Sequence, residues 1–441
     1  MAMCTATVAT RTDGSVVDVN NRPDGTMGSA DVLVIGGGVI GLACANELQR
    51  AGRRVRVLEQ ARIGSGSSHG NCGTLTPSHA EPLAAPGVIA KALHSMLRPD
   101  APFYIAPRFD PTLWRWLWQF ARRCNVRDHR DAMRAKGALL STSRALIEQL
   151  VREHAIDCEF AADGLLYAFA DPREHDAMLA GLPLLRNIGI ATETWDAATL
   201  VANEPSLRDG LAGGILFPGD ASLRPDRYVD GLARLAREGG CEFIEDCAVQ
   251  GFHRERGRVV GIETNRGLQR GRDVLIATGA WSPALARQLG LALPIQPGKG
   301  YSITWDAQRT PPRRPLVLKE RSVCVTAWRS GFRLGSTMEF SGYDTSLNRT
   351  RLDAIERAAG EYLRDPPTGL RREEWYGWRP MTWDDLPILG RAPGSDNLWL
   401  ATGHGMMGVG MSAVTGRLIA DLMGGRDPII DPAPYSALRF Q

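Results

Sequence analysis

The chain has no run of about 18 apolar residues, so no segment of it reads as a membrane-spanning helix. Nor does it contain a Cys-x-x-Cys pair. Its eight cysteines, Cys4, Cys44, Cys72, Cys124, Cys158, Cys241, Cys247 and Cys324, are scattered in a way that points to neither a zinc site nor a disulfide framework, and no metal is expected. There is no Lys/Arg-rich block: 52 basic residues against 49 acidic ones leave a formal charge of +3, which gives no case for a nucleic-acid partner. The N-terminus lacks a charged segment followed by an apolar one. Export by a signal peptide is therefore not expected, and the reading is cytoplasmic, with peripheral contact on the inner membrane left open. Finally, there is no strong Ser/His/Asp or paired-carboxylate constellation, which leaves the difficult chemistry to a cofactor.

What the chain does have is length and apolar content. With 441 residues, 44% of them hydrophobic, it exceeds the size at which one core stops growing, so two domains are expected. Residues 1–30 are polar, with little periodicity, and read as a disordered leader. From Asp31 a short apolar strand leads into Gly36-Gly37-Gly38-Val39-Ile40-Gly41, then a helix over 42–51 and a second strand, Val55 to Leu58. This βαβ context gives G-x-G-x-x-G its meaning. Gly36 permits the tight turn, Gly38 admits a pyrophosphate to the backbone, Gly41 lets the helix lie on the strand, and the helix N-terminus attracts the anion. Glu59, with Gln60 beside it, ends the second strand where a carboxylate accepts from ribose hydroxyls.

That motif alone does not separate NAD from FAD. Two further segments favour FAD. Ala277-Thr278-Gly279-Ala280-Trp281-Ser282 follows the strand that starts at Asp273. Gly403-His404-Gly405-Met406-Met407-Gly408 follows a strand near 397–401 and precedes a helix over 412–422. A second helix N-terminus suits the negative charge that a reduced flavin carries near N1. Helical patterns dominate residues 96–219, including 139–153 and 174–188, and mark a separate lobe.

Taken together, these segments resemble the D-amino-acid oxidase superfamily of FAD enzymes, most closely the bacterial D-amino-acid and D-hydroxyproline dehydrogenases. The resemblance covers about residues 31–430. Its most specific pieces are Val34 to Gly41, Leu83-Ala-Ala-Pro-Gly87, Lys299-Gly-Tyr-Ser302, Trp378-Arg-Pro-Met-Thr382 with Pro387-Ile-Leu-Gly390, and Leu398 to Gly405. It implies an α/β fold: a Rossmann-like FAD-binding domain (31–95, 220–295 and 375–430) and a discontinuous, sheet-based substrate domain (96–219 and 296–374), followed by a tail over 431–441.

The resemblance also implies roles. Gly36, Gly38, Gly41 and Glu59 match the adenosine-diphosphate site, and Ser67, Ser68, Asn71 and Gly73 match the segment along the phosphates and flavin. Val249 lies where relatives hold the adenine, and Gly403 to Gly408 match the loop beneath the flavin pyrimidine. Arg379 matches an arginine that pairs with a substrate carboxylate, with Tyr301 and His404 as further candidates for the cavity lining. His69 lies one place off the histidine that binds FAD covalently in sarcosine-type relatives, so noncovalent FAD is expected.

The expected reaction is dehydrogenation of the C–N bond of a small amino or imino acid by hydride transfer to flavin N5. The bulk of Trp383-Asp384-Asp385, where D-alanine-type enzymes have a small turn, points first to D-proline or D-hydroxyproline, then to D-amino acids broadly, then to sarcosine or glycine. A partner-dependent flavoprotein subunit stays open, as does the electron acceptor: quinone, protein or oxygen. Trp114, Trp116 and Trp118 read as core packing, with a membrane-docking patch as the second reading.

Overall fold

The computed structural model describes residues 29–95 and 102–441, so the leader expected over 1–30 falls almost wholly outside the described residues. Ala30–Ile35 is apolar on both faces, the pattern of a strand covered from both sides. It lies inside a six-stranded sheet in the order Ile388–Arg391, Leu398–Thr402, Gly271–Ile276, Ala30–Ile35, Val55–Leu58, Glu242–Ile244. All neighbours are parallel except the first pair. The helix Val39–Arg50 covers one face, and Asn46 ties it to the helix Pro225–Glu238 by donating to Leu232 O at 2.9 Å. The other face is covered by a three-stranded sheet, Val249–Glu255, Arg258–Thr264 and Gly267–Gln269, whose Val259 and Ile262 share a core with Ile35 and Ile276.

A nine-stranded sheet forms the second layer system, with the long antiparallel pair Arg371–Thr382 and Ile295–Trp305 at one edge. Two segments depart from the expected division. Residues 375–382, grouped by sequence with the FAD-binding segments, are the end of the strand Arg371–Thr382 and pair throughout with 295–302. The helix Val126–Glu153, expected in a separate lobe, packs Leu139, Leu140 and Ile147 into the same core as Leu42 and Val414. Its apolar stripe needs a partner surface, and the helices of the first sheet supply it.

The tryptophans also divide. They lie on the helix Pro111–Arg123, where two residues span about 200° of rotation, so Trp116 faces away from Trp114 and Trp118. Trp116 is 4% exposed and its Nε1 donates to Met381 O at 3.2 Å, whereas Trp114 and Trp118 are 58% and 57% exposed. Core packing therefore explains only Trp116.

Candidate active site

A cavity of about 2310 Å³ opens where the two sheets meet. Its floor begins at the first glycine turn. Gly36 has φ +107°, and a Cβ there would sit 2.6 Å from Ala277 O; a Cβ on Gly41 would sit 1.9 Å from Gly36 O. Both glycines are required by the protein's own packing. Gly38 is different: its φ of −77° suits any residue, and the nearest atom to an added Cβ is Ser68 Oγ at 3.6 Å. The room beside Gly38 belongs to the cavity, which Val39 and Ile40 also line, and the helix start there carries no side-chain cap. Glu59 is held by backbone donors, Gly37 N at 2.7 Å and Ala61 N at 3.0 Å, leaving lone pairs on both carboxylate oxygens. Backbone bonds from Glu59 N to Ile244 O and from Cys247 N to Glu59 O carry the chain past Glu59 toward Val249, and Gln60 and Val249 line this end.

The segment after the second strand crosses from one sheet to the other. Ser68 Oγ accepts from Val39 N at 3.2 Å, Ser67 Oγ donates to Trp378 O at 2.7 Å, and Asn71 Oδ1 accepts from Gly73 N at 2.7 Å. Gly73 has φ +72°, and its hypothetical Cβ falls 1.9 Å from Leu223 O. His69 Nε2 bonds Glu373 Oε1 at 2.8 Å, and that bond raises its pKa. Arg333, buried and absent from the sequence-based set, donates to the carbonyls of His69 and Asn71 at 2.9 and 2.8 Å and so fixes this loop.

At the second glycine junction, Gly403 and Gly405 have φ +77° and +54°, and Gly405 N donates to Pro380 O at 3.1 Å. The helix Gly408–Gly424 starts there, also without a side-chain cap, and Met406 and Met407 line the cavity. A chain of hydroxyls joins this junction to the middle one: Thr278 Oγ1 to Ser282 Oγ at 3.0 Å, Ser282 Oγ to Thr402 Oγ1 at 2.7 Å, and Thr402 Oγ1 to Gly279 O at 3.1 Å. His404 is buried and bonds Thr415 Oγ1 at 3.0 Å. Burial pushes its imidazole down to about 3, so it is neutral at ordinary pH.

Arg379 lies in the cavity wall, half-buried. Its guanidinium stacks over Gly300, whose added Cβ would come within 2.3 Å of it, and Nη1 donates to the carbonyl of Thr337, a non-glycine residue at φ +75°. It forms no ion pair with a carboxylate among the described residues, and burial lowers its pKa. Beside it lies an apolar wall: Leu83, Phe103, Trp116, Phe340, Met338, Met381 and Met406.

Tyr301 also borders the cavity, but from the other face of the strand. Gly300 shares Arg379's face, and Tyr301, next along the strand, packs 1% exposed in the core beneath the helix Arg349–Tyr362, its hydroxyl donating to Glu339 Oε2 at 3.2 Å.

The Trp383-Asp384-Asp385 turn also points elsewhere than its bulk implied. Trp383 packs edge-on against Phe440, Asp384 pairs with Arg439 at 2.7 Å, and Asp385 holds buried Lys136 at 2.5 Å and Leu83 N at 3.2 Å. These side chains anchor the C-terminus and the loop near Leu83, and the bulk that pointed to a cyclic substrate does not stand in the cavity.

FAD fits this cradle. Two helix starts whose own N-cap residues supply no side-chain cap, an acceptor carboxylate at Glu59, the room at Gly38 and Trp378 Nε1, buried in the wall and without a partner among the described residues, supply the donors, acceptors and space the group needs. Glu59 and the Gly36–Gly41 turn would hold its adenosine diphosphate, Ser67 to Gly73 its middle, and Gly403 to Gly408 its ring, with Thr278, Gly279 and Trp281 alongside.

Comparison with known proteins agrees. The family model described as DAO: FAD dependent oxidoreductase matches residues 31–422. A D-amino acid dehydrogenase of Cereibacter sphaeroides is 35% identical over 417 residues, covering 93% of this chain and 95% of that protein. One from Granulibacter bethesdensis is 33% identical, covering 93% and 99%. Among solved structures, glycine oxidase from Geobacillus kaustophilus superposes with a TM-score of 0.76 at 25% identity, covering 92% and 98% of the two chains. L-proline dehydrogenase from P. horikoshii shares the fold, with a TM-score of 0.71 at 21% identity, covering 93% and 98%. The chain thus belongs to the DAO family of FAD dependent oxidoreductases, and its cofactor is FAD.

Proposed function

We propose that the protein dehydrogenates the C–N bond of small D-amino acids, with FAD bound noncovalently. The observation that carries this reading is Arg379, a guanidinium deep in the cavity wall that donates to the Thr337 carbonyl and has no carboxylate to balance it among the described residues. A buried cation of this kind is costly until an anion joins it, and a planar fork suits a carboxylate. With the carboxylate fixed, the α-carbon is held at one distance from the flavin, and the apolar wall receives the side chain. FAD, when bound, supplies the hydride acceptor at N5. His404, being neutral and tied to Thr415, keeps the loop in place and is not needed as an acid.

Relatives at 33–35% identity that are named D-amino acid dehydrogenases support the D series and the C–N bond. D-proline, D-hydroxyproline, sarcosine and glycine are the alternatives. Anaerobic bleaching of the flavin band by D- but not L-amino acids is the expected result; a yellow protein that none of these compounds bleaches would mean a partner-dependent subunit instead.

The electron acceptor in this reading is a quinone reached at a membrane surface. Phe109, Trp114 and Trp118 are exposed beside Arg115 and Arg122, and Trp114 also lines the cavity, joining that surface to the site. Sedimentation with anionic phospholipid vesicles should carry the protein down, and Trp114→Ser with Trp118→Ser should weaken it; equal binding by both proteins rules the patch out.

A further inference from the structure

Two cysteines meet in the cavity wall. Cys72 comes from the loop that crosses between the sheets, and Cys324 from the strand Val323–Trp328. Cys324 opposes Gly335 in the antiparallel register, and the Cys72 sulfur lies over that same glycine, 2.4 Å from where a Cβ would stand. Glycine at 335 is what lets the sulfur settle beside Cys324. Thr326 Oγ1 holds the loop by donating to Cys72 O at 2.8 Å and lies 3.9 Å from Cys324 Sγ. The neighbouring Cys324 thiol, with the Arg333 and Arg379 cations, lowers the Cys72 pKa, while that of Cys324 is raised. The other cysteines contrast with this: burial pushes Cys158 up to about 12 and Cys241 up to about 11. A cysteine whose pKa is lowered, lying across one strand pair from a cysteine whose pKa is raised, is the arrangement of an attacking and a resolving cysteine.

We propose that Cys72 and Cys324 form a peroxide-responsive dithiol that closes to a disulfide in the wall of the substrate cavity. The Cys72 thiolate attacks a hydroperoxide; the S–O bond forms, the O–O bond breaks, and hydroxide or alkoxide leaves, taking up a proton from solvent. The Cys324 sulfur then displaces the sulfenic oxygen, which departs as water with the Cys324 proton. Two thiols are oxidised by two electrons and one peroxide is reduced. The product staples the loop between the sheets to the substrate sheet.

The test uses the FAD-loaded full chain, treated with a slight excess of hydrogen peroxide, quenched with N-ethylmaleimide in denaturant and mapped by mass spectrometry. The expected result is one cross-linked peptide joining Cys72 to Cys324, two hydrogens lighter than the reduced pair and lost with dithiothreitol, forming roughly tenfold faster than oxidation at Cys124. Cys324→Ser should leave a dimedone-reactive sulfenic acid on Cys72, and Cys72→Ser should leave no dimedone adduct on Cys324. Full alkylation of both cysteines after peroxide, or oxidation at Cys72 no faster than at Cys124, overturns the proposal. The readout is covalent mass, so it stands whether or not D-amino acids prove to be the substrates.

Discussion

Replacing Arg379 with alanine should lower kcat/KM for a D-amino acid by roughly 30- to 1000-fold, the loss of about 2–4 kcal/mol expected when one partner of a buried charged pair is removed. FAD should stay bound, because the strand's links to the flavin-binding segments, Ser67 Oγ to Trp378 O and Gly405 N to Pro380 O, use backbone carbonyls and not the Arg379 side chain. Stability of the ligand-free protein should not fall, since the substitution deletes a buried cation that has no described carboxylate. Arg379→Lys should recover part of the rate: it restores charge but not the parallel donors. Gly300→Ala makes a sharper probe. It keeps the arginine yet places a methyl where the guanidinium stacks, so it should raise KM without removing any charge. Steady-state kinetics with a D-amino acid and with the corresponding amine lacking the carboxylate would separate the effects. An Arg379→Ala enzyme with unchanged kcat/KM would remove the basis of the proposed function.

The second large effect concerns the glycines of the first turn, which have different reasons to be glycine. In Gly41→Ala the new methyl overlaps Gly36 O, and the helix Val39–Arg50 must move off its strand. A loss of about 3 kcal/mol is expected, together with loss of flavin. Gly38→Ala meets nothing closer than 3.6 Å, so the apoprotein should melt within about 0.5 kcal/mol of the parent's stability. Its FAD affinity should nevertheless fall at least tenfold, or about 1.4 kcal/mol, because the methyl occupies cofactor space. Apoprotein melting curves and the flavin-to-protein ratio after gel filtration measure the two quantities. Gly38→Ala with full flavin would mean that the pyrophosphate lies elsewhere.

The contrast between these glycines shows which parts of the site were legible in the sequence. The turn was readable because its requirements are local: strand, glycines, helix and Glu59 lie within 30 residues. The second glycine junction was readable for the same reason. Arg333 was not, because an arginine in the middle of an apolar strand carries no mark of the loop carbonyls it holds more than 260 positions away. The Ser282–Thr402 bond and the Cys72–Cys324 pair were hidden in the same way. Tyr301 and Arg379 both sat in recognisable segments, but which face each takes depends on strand parity, and the register of Ile295–Trp305 against Gly331–Phe340 shifts between Lys299 and Tyr301. The Trp383 turn misled because bulk in a sequence does not say which way it points; the partners Phe440, Arg439 and Lys136 are visible only in the fold.

The order of the first sheet has a consequence for how the protein is made. The strand Ala30–Ile35 is made about 240 residues before its neighbour Gly271–Ile276, and the strand Leu398–Thr402 that completes the flavin side follows more than 120 residues after that. At 5–20 residues per second, roughly 20 s or more separates the two edges of the cofactor site. For the first two-thirds of that interval the glycine turn has no partner strand at Ala277, and for all of it the flavin-side strand Leu398–Thr402 is missing. Flavin loading thus waits for the strand Leu398–Thr402, and cellular FAD supply should set the yield of active enzyme by capturing chains in which that strand has just joined the sheet.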